Sequence, residues 1–355
     1  MTTARAAALE AVFTDLVENK GINSAGAAVI KDGKIIWTGY FGWQSPGVPA
    51  SRRTQFNVAS LTKTVTTETI LRLADQGKLD LDESMAPYWV DPDVRADPRH
   101  RALTPRMVLT HTTGFLNWRF LSDDFKLHFL QDPGSTYGYS GEGFKYLATF
   151  AEKKLGKRFD SLVKAEVFER LNMSGASITV EKDNFANIAQ RLDTKGEFFG
   201  PYCFPQKRWC REEGSYSAAG DLVITVEDYA TFLISVMDGV GYSQKLTTDR
   251  NRVQGDENKE TKVDCTKVPA DICPRAQGFG LGWEVFDYGN TKLVSHGGSN
   301  WAELTIAYFY TGSRDGLLIL LSAPNERARK AMPIPLELID PGSAIVAHYQ
   351  RLAAR

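Results

Sequence analysis

Ala25-Gly26-Ala27-Ala28-Val29-Ile30-Lys31-Asp32-Gly33-Lys34-Ile35-Ile36-Trp37-Thr38-Gly39-Tyr40 holds two apolar runs joined at Asp-Gly. Asp-Gly between such runs is the strongest short-range hairpin signal, so strands are expected over 25–31 and 34–40. An amphipathic helix over 6–19 precedes them. The other end of the chain mirrors this β-rich start, with strand-like segments near 280–287, 291–295, 302–310 and 317–322, turns at Gly289-Asn290 and 311–316, and a closing helix over 343–352. Between the two ends the periodicity is helical, at about 61–76, 104–110, 141–155, 160–170 and 225–238. Strands at both termini with helices between them imply one antiparallel sheet assembled from distant parts of the chain. The expected fold is therefore α+β, a three-layer sandwich whose antiparallel sheet of five or more strands is flanked by helices. Residues 1–75 and 215–355 would form a discontinuous sheet domain and residues 76–214 a mainly helical insertion, with the active site at their seam. Residues 245–278 are polar and aperiodic and read as a long excursion loop shaping that site.

Composition narrows the function classes. The 355 residues carry 42 basic and 43 acidic side chains, a formal net charge of −1. Near neutrality without basic blocks argues against nucleic acid or an anionic membrane surface as the partner, and leaves a small molecule or short peptide. The longest apolar runs, such as Leu317 to Leu321, reach only a strand's length, so no membrane-spanning helix is expected. Glu10 interrupts the only apolar stretch near the start, which therefore lacks the h-region of a signal peptide. Either the protein stays inside the cell or a leader has been removed.

Five histidines (His100, His111, His128, His296, His348) and four cysteines show no C-x-x-C, H-x-x-x-H or H-E-x-x-H spacing, so neither a metal nor another cofactor is expected. The cysteines fall as local pairs, Cys203 with Cys210 and Cys265 with Cys273, in polar, proline-containing stretches. Free cysteine prefers apolar burial. Two short-loop disulfides, and with them a periplasmic or secreted location, are favoured over four cytoplasmic thiols.

The segment with most chemistry is Phe56-Asn57-Val58-Ala59-Ser60-Leu61-Thr62-Lys63-Thr64, which runs into the helical pattern Val65, Ile70, Leu73, with Gly77 where that helix should stop. If the helix begins near Ser60, Lys63 lies one turn on and on the same face, so ammonium and hydroxyl can meet. A serine beside a lysine at a helix start is a nucleophile with its own proton acceptor. Alone, S-x-x-K is a weak signal, because an N-capping serine followed by a surface lysine gives the same letters. Two further segments stand in order behind it: Gly138-Tyr139-Ser140-Gly141-Glu142-Gly143-Phe144, opening another helix, and Leu293-Val294-Ser295-His296-Gly297-Gly298-Ser299-Asn300, a strand whose glycines allow close backbone approach.

Together these segments make the chain resemble the serine β-lactamases and penicillin-recognising enzymes, and within them the class-C-like esterases, amidases and D-peptidases. Ser60-Leu61-Thr62-Lys63 is similar to the superfamily's S-x-x-K, Tyr139-Ser140-Gly141 to its Y-x-N, and His296-Gly297-Gly298 to its K-T-G, often written H-x-G in relatives. Leu109 to Phe115 resembles L-L-T-H-T-S-G-L, and Ser217 to Tyr229 resembles A-G-G-L-x-S-T-x-x-D-x. The resemblance implies the β-lactamase/transpeptidase-like fold and acyl transfer through an acyl-enzyme on Ser60, with Lys63 and Tyr139 as proton relay and His296 positioning Tyr139 or the substrate. It also implies an oxyanion hole from the backbone N–H groups of Ser60 and Ser299 beside Gly298, and a pocket lined by Trp118 and Gly141.

Two departures bear on substrate. Gly141 replaces the asparagine of Y-x-N and His296 replaces a lysine, both of which serve β-lactam recognition in the resemblance, so weak or no β-lactamase activity is expected. Glu142 is an added acid in a first helical turn, where negative charge is favourable. The expected function is a serine hydrolase acting on esters, small amides or D-amino-acid peptides; the alternatives are a silent penicillin-binding or sensor protein on the same scaffold, or an acyltransferase. An α/β-hydrolase would need G-x-S-x-G, and Gly138-Tyr139-Ser140-Gly141-Glu142 ends on Glu.

Overall fold

In the computed structural model, which describes residues 1–204, 209–257 and 262–354, the Asp-Gly hairpin forms as the sequence dictates. Asp32 and Gly33 take φ of 47° and 68°, the left-handed pair that a two-residue hairpin turn requires. Helix α1 (Thr3–Asn19) leads into β1 (Ser24–Lys31) and β2 (Lys34–Ser45). Helices α2 (Thr62–Asp75), α3 (Gly141–Leu155) and α4 (Val226–Met237) occupy the middle, and five strands follow: β3 (Ala276–Phe279), β4 (Glu284–Asp287), β5 (Lys292–Ser299), β6 (Glu303–Tyr310) and β7 (Gly316–Ser322). The chain closes with α5 (Asn325–Ala331), α6 (Pro333–Ile339) and α7 (Ala344–Ala353).

One nine-stranded sheet runs in the order Gly255–Asp256, β3, β4, β5, β6, β7, β1, β2, Val48–Pro49. Every pairing in it is antiparallel, and β1 lies beside β7, Ser24 opposite Ser322, so the first and last strands of the chain meet in the interior of the sheet. Side chains alternate between the two faces. Leu318 and Leu320 join Ala28, Ile30, Val294 and Phe309 against α2, α3 and α4. Leu317, Ile319 and Leu321 join Ala25, Ala27 and Ile306 against α1, α5, α6 and α7. This double-sided burial explains the unbroken apolar run in β7, and each leucine buried there is worth about 1.5–3 kcal/mol. Gly26 lets a helix close on the sheet: a Cβ there would stand 2.6 Å from Val226 Cγ2 and 2.9 Å from Phe56 Cε2.

The structure departs from the sequence reading in three places. Residues 245–278 are not one loop: Gly255–Asp256 and Ala276–Phe279 are strands of the sheet, residues 258–261 lie outside the described ones, and a short helix spans Gln244–Arg250. Its buried face carries Thr247 and Arg250 rather than apolar residues, and Arg250 reaches Glu68 of α2 at 3.5 Å, so hydrophobic periodicity gives no sign of it. Helices α5 and α6 were not expected; Pro333 and Pro335 sit in the first turn of α6, where no N–H is needed. The segment over 160–170 is split into a helix, Phe159–Val163, and a π turn, Lys164–Phe168, and the stretch from 176 to 210 holds two-residue strands. Among the described residues no helix is long and apolar enough to cross a membrane.

Candidate active site

The candidate nucleophile sits at a bend. The short strand Phe56–Asn57 pairs with Val223–Ile224, and the chain then turns through Ala59 at φ 48°, a left-handed conformation uncommon for alanine. Asn57 Oδ1 accepts the Ala59 N–H at 3.0 Å and supports the turn. A 3-10 turn, Ala59–Leu61, carries Ser60 and passes directly into α2. The helix therefore begins at Thr62, two residues beyond the expected start, while Ser60 and Lys63 still share a face. It ends at Asp75, and Gly77, φ 69°, lies just beyond.

Lys63 is fully buried, and its Nζ donates to Ser60 Oγ at 3.0 Å and to the Ala219 carbonyl at 3.0 Å. Burial, and after it the neighbouring Lys145 charge, pushes its pKa from 10.5 down to about 7. The segment around Ala219 is tied along α2, since Thr66 Oγ1 donates to the Ala218 carbonyl (2.7 Å) and Thr62 Oγ1 accepts from Leu222 N (3.1 Å). The far side of the helix is held by Glu68, whose buried carboxylate accepts from Trp283 Nε1 (3.2 Å) and Tyr242 (2.8 Å).

Tyr139 arrives from just before α3, with its ring centroid 5.0 Å from Lys63 Nζ. Desolvation pushes its phenol pKa up, with the Ser60 hydroxyl as a hydrogen-bonding neighbour pulling the other way, so the phenol keeps its proton near neutrality. His111 fixes the backbone on both sides of it: its carbonyl accepts the Gly138 N–H (2.7 Å) and its Nδ1 accepts the Ser140 N–H (3.1 Å). Nδ1 is thus unprotonated and the proton rides on Nε2. The rings of His111 and Tyr139 are 4.2 Å apart. The sequence showed His111 only as a letter in a matched segment and gave no sign of this grip.

His296 and Gly298 point from β5 to the face that carries Ser60. His296 is buried, and its Nδ1 lies 2.7 Å from the Gly297 carbonyl; a carbonyl only accepts, so Nε2 is the acceptor, and it has no partner among the described residues. Burial, reinforced by Lys63, pushes the ring's pKa down to about 3, which keeps it neutral. It lies 6.4 Å from the Tyr139 ring. Gly298 is where strand and nucleophile touch: a Cβ there would overlap Thr305 Oγ1 and Val58 O and come within 3.2 Å of Ser60 N. Strand β4 pairs with β5 only as far as Ser295, opposite Glu284, so no described strand covers residues 296–299 on that edge. Ser299 turns its side chain away and accepts from Asn325 at 2.9 Å.

Trp118 and Gly141 also meet at the site, the indole centroid 5.5 Å from Lys63 Nζ. Glu142 is buried in the first turn of α3 and bridged by Arg119 (3.0 Å) and Lys145 (3.1 Å). Asp221, beside the segment that holds Lys63, is buried and pushed up to about 6 by desolvation, with Arg211 at 3.1 Å. Cys203 is joined to Cys210 and Cys265 to Cys273. Among the described residues no group of His, Cys, Asp or Glu could hold a metal ion.

A partly exposed serine bonded to a buried lysine at a helix start, flanked by a tyrosine and an open strand edge on a large antiparallel sheet, is the arrangement expected of serine β-lactamases and penicillin-binding proteins. The chain matches the Beta-lactamase family over residues 9–332 and belongs to it. It is 25% identical to the D-alanyl-D-alanine-carboxypeptidase/endopeptidase AmpH of Escherichia coli over 64% of this chain and 59% of that one. It is 31% identical to Esterase EstB of Burkholderia gladioli over 38% of this chain and 33% of the relative. Each alignment thus spans less than two thirds of these curated relatives. In fold it is similar to EstCE1, described as a hydrolase with promiscuous acyltransferase activity, with a TM-score of 0.73 and 17% identity over 98% of this chain and 99% of that one.

Proposed function

We propose that this chain is a serine hydrolase acting through an acyl-enzyme on carboxylic esters, small amides or D-amino-acid peptides, with little turnover of β-lactams. The observation that carries the reading is the buried Lys63 amine 3.0 Å from Ser60 Oγ, its pKa pushed down to about 7. A serine hydroxyl is a poor nucleophile at neutrality unless a base with a pKa near the working pH takes its proton. Lys63 meets that condition, whereas Tyr139 holds its proton too tightly to serve first.

On this reading neutral Lys63 accepts the Ser60 proton as Oγ attacks the substrate carbonyl. The oxyanion is received by the N–H groups of Ser60 and Ser299, preorganised donors of which each is worth about 100- to 1000-fold in rate. The intermediate then expels its alcohol or amine, which takes a proton relayed from Lys63 through Tyr139, and water repeats the sequence on the acyl-enzyme. His296 is a neutral acceptor, so it supplies no cation to a substrate carboxylate, and this supports weak β-lactam turnover. The site would lie at the seam of a sheet domain, 1–75 and 215–355, and an insertion, 76–214.

Ser60→Ala is expected to abolish hydrolysis of p-nitrophenyl acetate and labelling by a fluorophosphonate. Retained turnover would remove Ser60 from its role, and an unlabelled, inactive wild type would favour a silent binding protein. A panel of p-nitrophenyl esters, D-aminoacyl amides, muropeptides and nitrocefin ranks the substrate classes, with nitrocefin expected last.

A further inference from the structure

The stretch Asn117-Trp118-Arg119 is fastened to the start of α3 on both sides of the tryptophan. Asn117 Oδ1 accepts the Gly141 N–H (2.9 Å) and the Asn117 carbonyl accepts the Glu142 N–H (3.0 Å). Arg119 donates to Glu142 (3.0 Å), Asp91 (2.7 Å) and Asp93 (3.0 Å), so its guanidinium is fully engaged. Pinned by both neighbours, the Trp118 indole lies on Gly141: a Cβ at 141 would overlap Cη2, Cζ2 and Cζ3, the last at 2.6 Å. No side chain fits at 141 while the indole stays where it is.

The indole ring lies against the proposed base, with Lys63 Nζ 5.5 Å and Lys145 Nζ 5.0 Å from its centroid. The Lys145 ammonium over the ring helps fix its position. Beyond Trp118 the apolar surface continues into Phe120, stacked on it at 5.8 Å and 15° and half exposed. The nearby charged groups of this wall, Arg119, Glu142 and Lys145, are spent on one another.

We propose that Trp118, with Gly141 making room for it and Phe120 extending it, is a specificity-determining wall that selects substrates whose acyl group presents an apolar or aromatic face beside the scissile carbonyl. This rests on the serine-hydrolase reading and adds the substrate class: esters of medium-chain or aryl-substituted carboxylic acids, ahead of acyl groups that need a hydrogen bond at that wall. A rigid aromatic ledge discriminates by apolar contact, at about 10- to 200-fold for one methylene in a hydrophobic pocket.

The test is kcat/KM for p-nitrophenyl hexanoate relative to p-nitrophenyl acetate. Trp118→Ala is expected to lower that ratio at least about tenfold, Phe120→Ala about threefold as an outer contact, and Trp118→Phe to restore most of the wild-type value. A second readout does not need turnover. Gly141→Ala should lower the Tm in the wild-type background and lose most of that effect in Trp118→Ala, because the added methyl then has space. An unchanged hexanoate-to-acetate ratio in Trp118→Ala and Phe120→Ala, or additive Tm effects of Gly141→Ala and Trp118→Ala, overturns the wall while leaving the hydrolase intact. A wild type that turns over no ester and takes no fluorophosphonate on Ser60 overturns both.

Discussion

Removing the Lys63 charge should make the protein more stable and less active, and the pH dependence of each effect is fixed by the burial of one ammonium. Lys63 has no exposed surface, and among the described residues only the neutral acceptors Ser60 Oγ and Ala219 O are hydrogen-bonded to it. The drop from 10.5 to about 7 corresponds, at about 1.4 kcal/mol per pH unit, to roughly 5 kcal/mol of instability in the charged form. Below pH 7 folded and unfolded chains are both protonated and the penalty is full. Between 7 and 10.5 the unfolded chain holds a proton that the folded chain has lost, so stability rises with pH. Lys63→Met keeps the length without the charge. Urea unfolding should find it several kcal/mol more stable than wild type at pH 6, with the gap narrowing by about 3 kcal/mol by pH 9. In the wild type, kcat/KM for p-nitrophenyl acetate should rise about tenfold per pH unit and level off above about 7. His296, near 3, and His111, whose pKa burial pushes well below its ordinary value, cannot produce that limb. Asp221, near 6, is the neighbour that could be mistaken for it, and Asp221→Asn should leave the limb in place. Parallel stability curves for wild type and Lys63→Met, or a limb near 7 surviving in the residual activity of the variant, would show that the Lys63 amine is not the group titrating there.

Tyr139→Phe is expected to lower kcat/KM by at least about 100-fold, as loss of a proton-transfer partner does; an unchanged rate would place the whole relay on Lys63. Gly298→Ala should cut activity about 10- to 100-fold, because its methyl would displace β5 from the Ser60 backbone; a wild-type rate would show that this approach is not needed. Mass measurement with and without reductant before alkylation should find no labelled thiol until reductant is added. Four labelled thiols without reductant would refute both Cys203–Cys210 and Cys265–Cys273.

The sheet was largely legible because its signals are local. Asp32-Gly33 sets a turn by its own φ preferences, and the runs in β6 and β7 announce strands buried on both faces. Ser60 and Lys63 were legible for the same reason, since three residues apart at a helix start they share a face whatever the rest of the chain does. What a polar anchor creates was not legible: the helix Gln244–Arg250 is held by an ion pair from Arg250 to Glu68, 182 residues away in the chain, and carries no apolar stripe.

The strand-rich ends, the helical middle, the order of the three motif segments and the placing of Ser60 one helical turn before Lys63 were readable from the sequence alone, because each is written in a few adjacent residues. Folding alone supplied the properties that make them a candidate site. Lys63 acquires its low pKa from complete burial, His111 becomes the clamp on Tyr139 because the two segments are folded together, and Trp118 occupies the space over Gly141 because Asn117 and Arg119 are tied to α3. Desolvation and exclusion depend on which distant groups surround an atom, and a one-dimensional pattern does not carry that information.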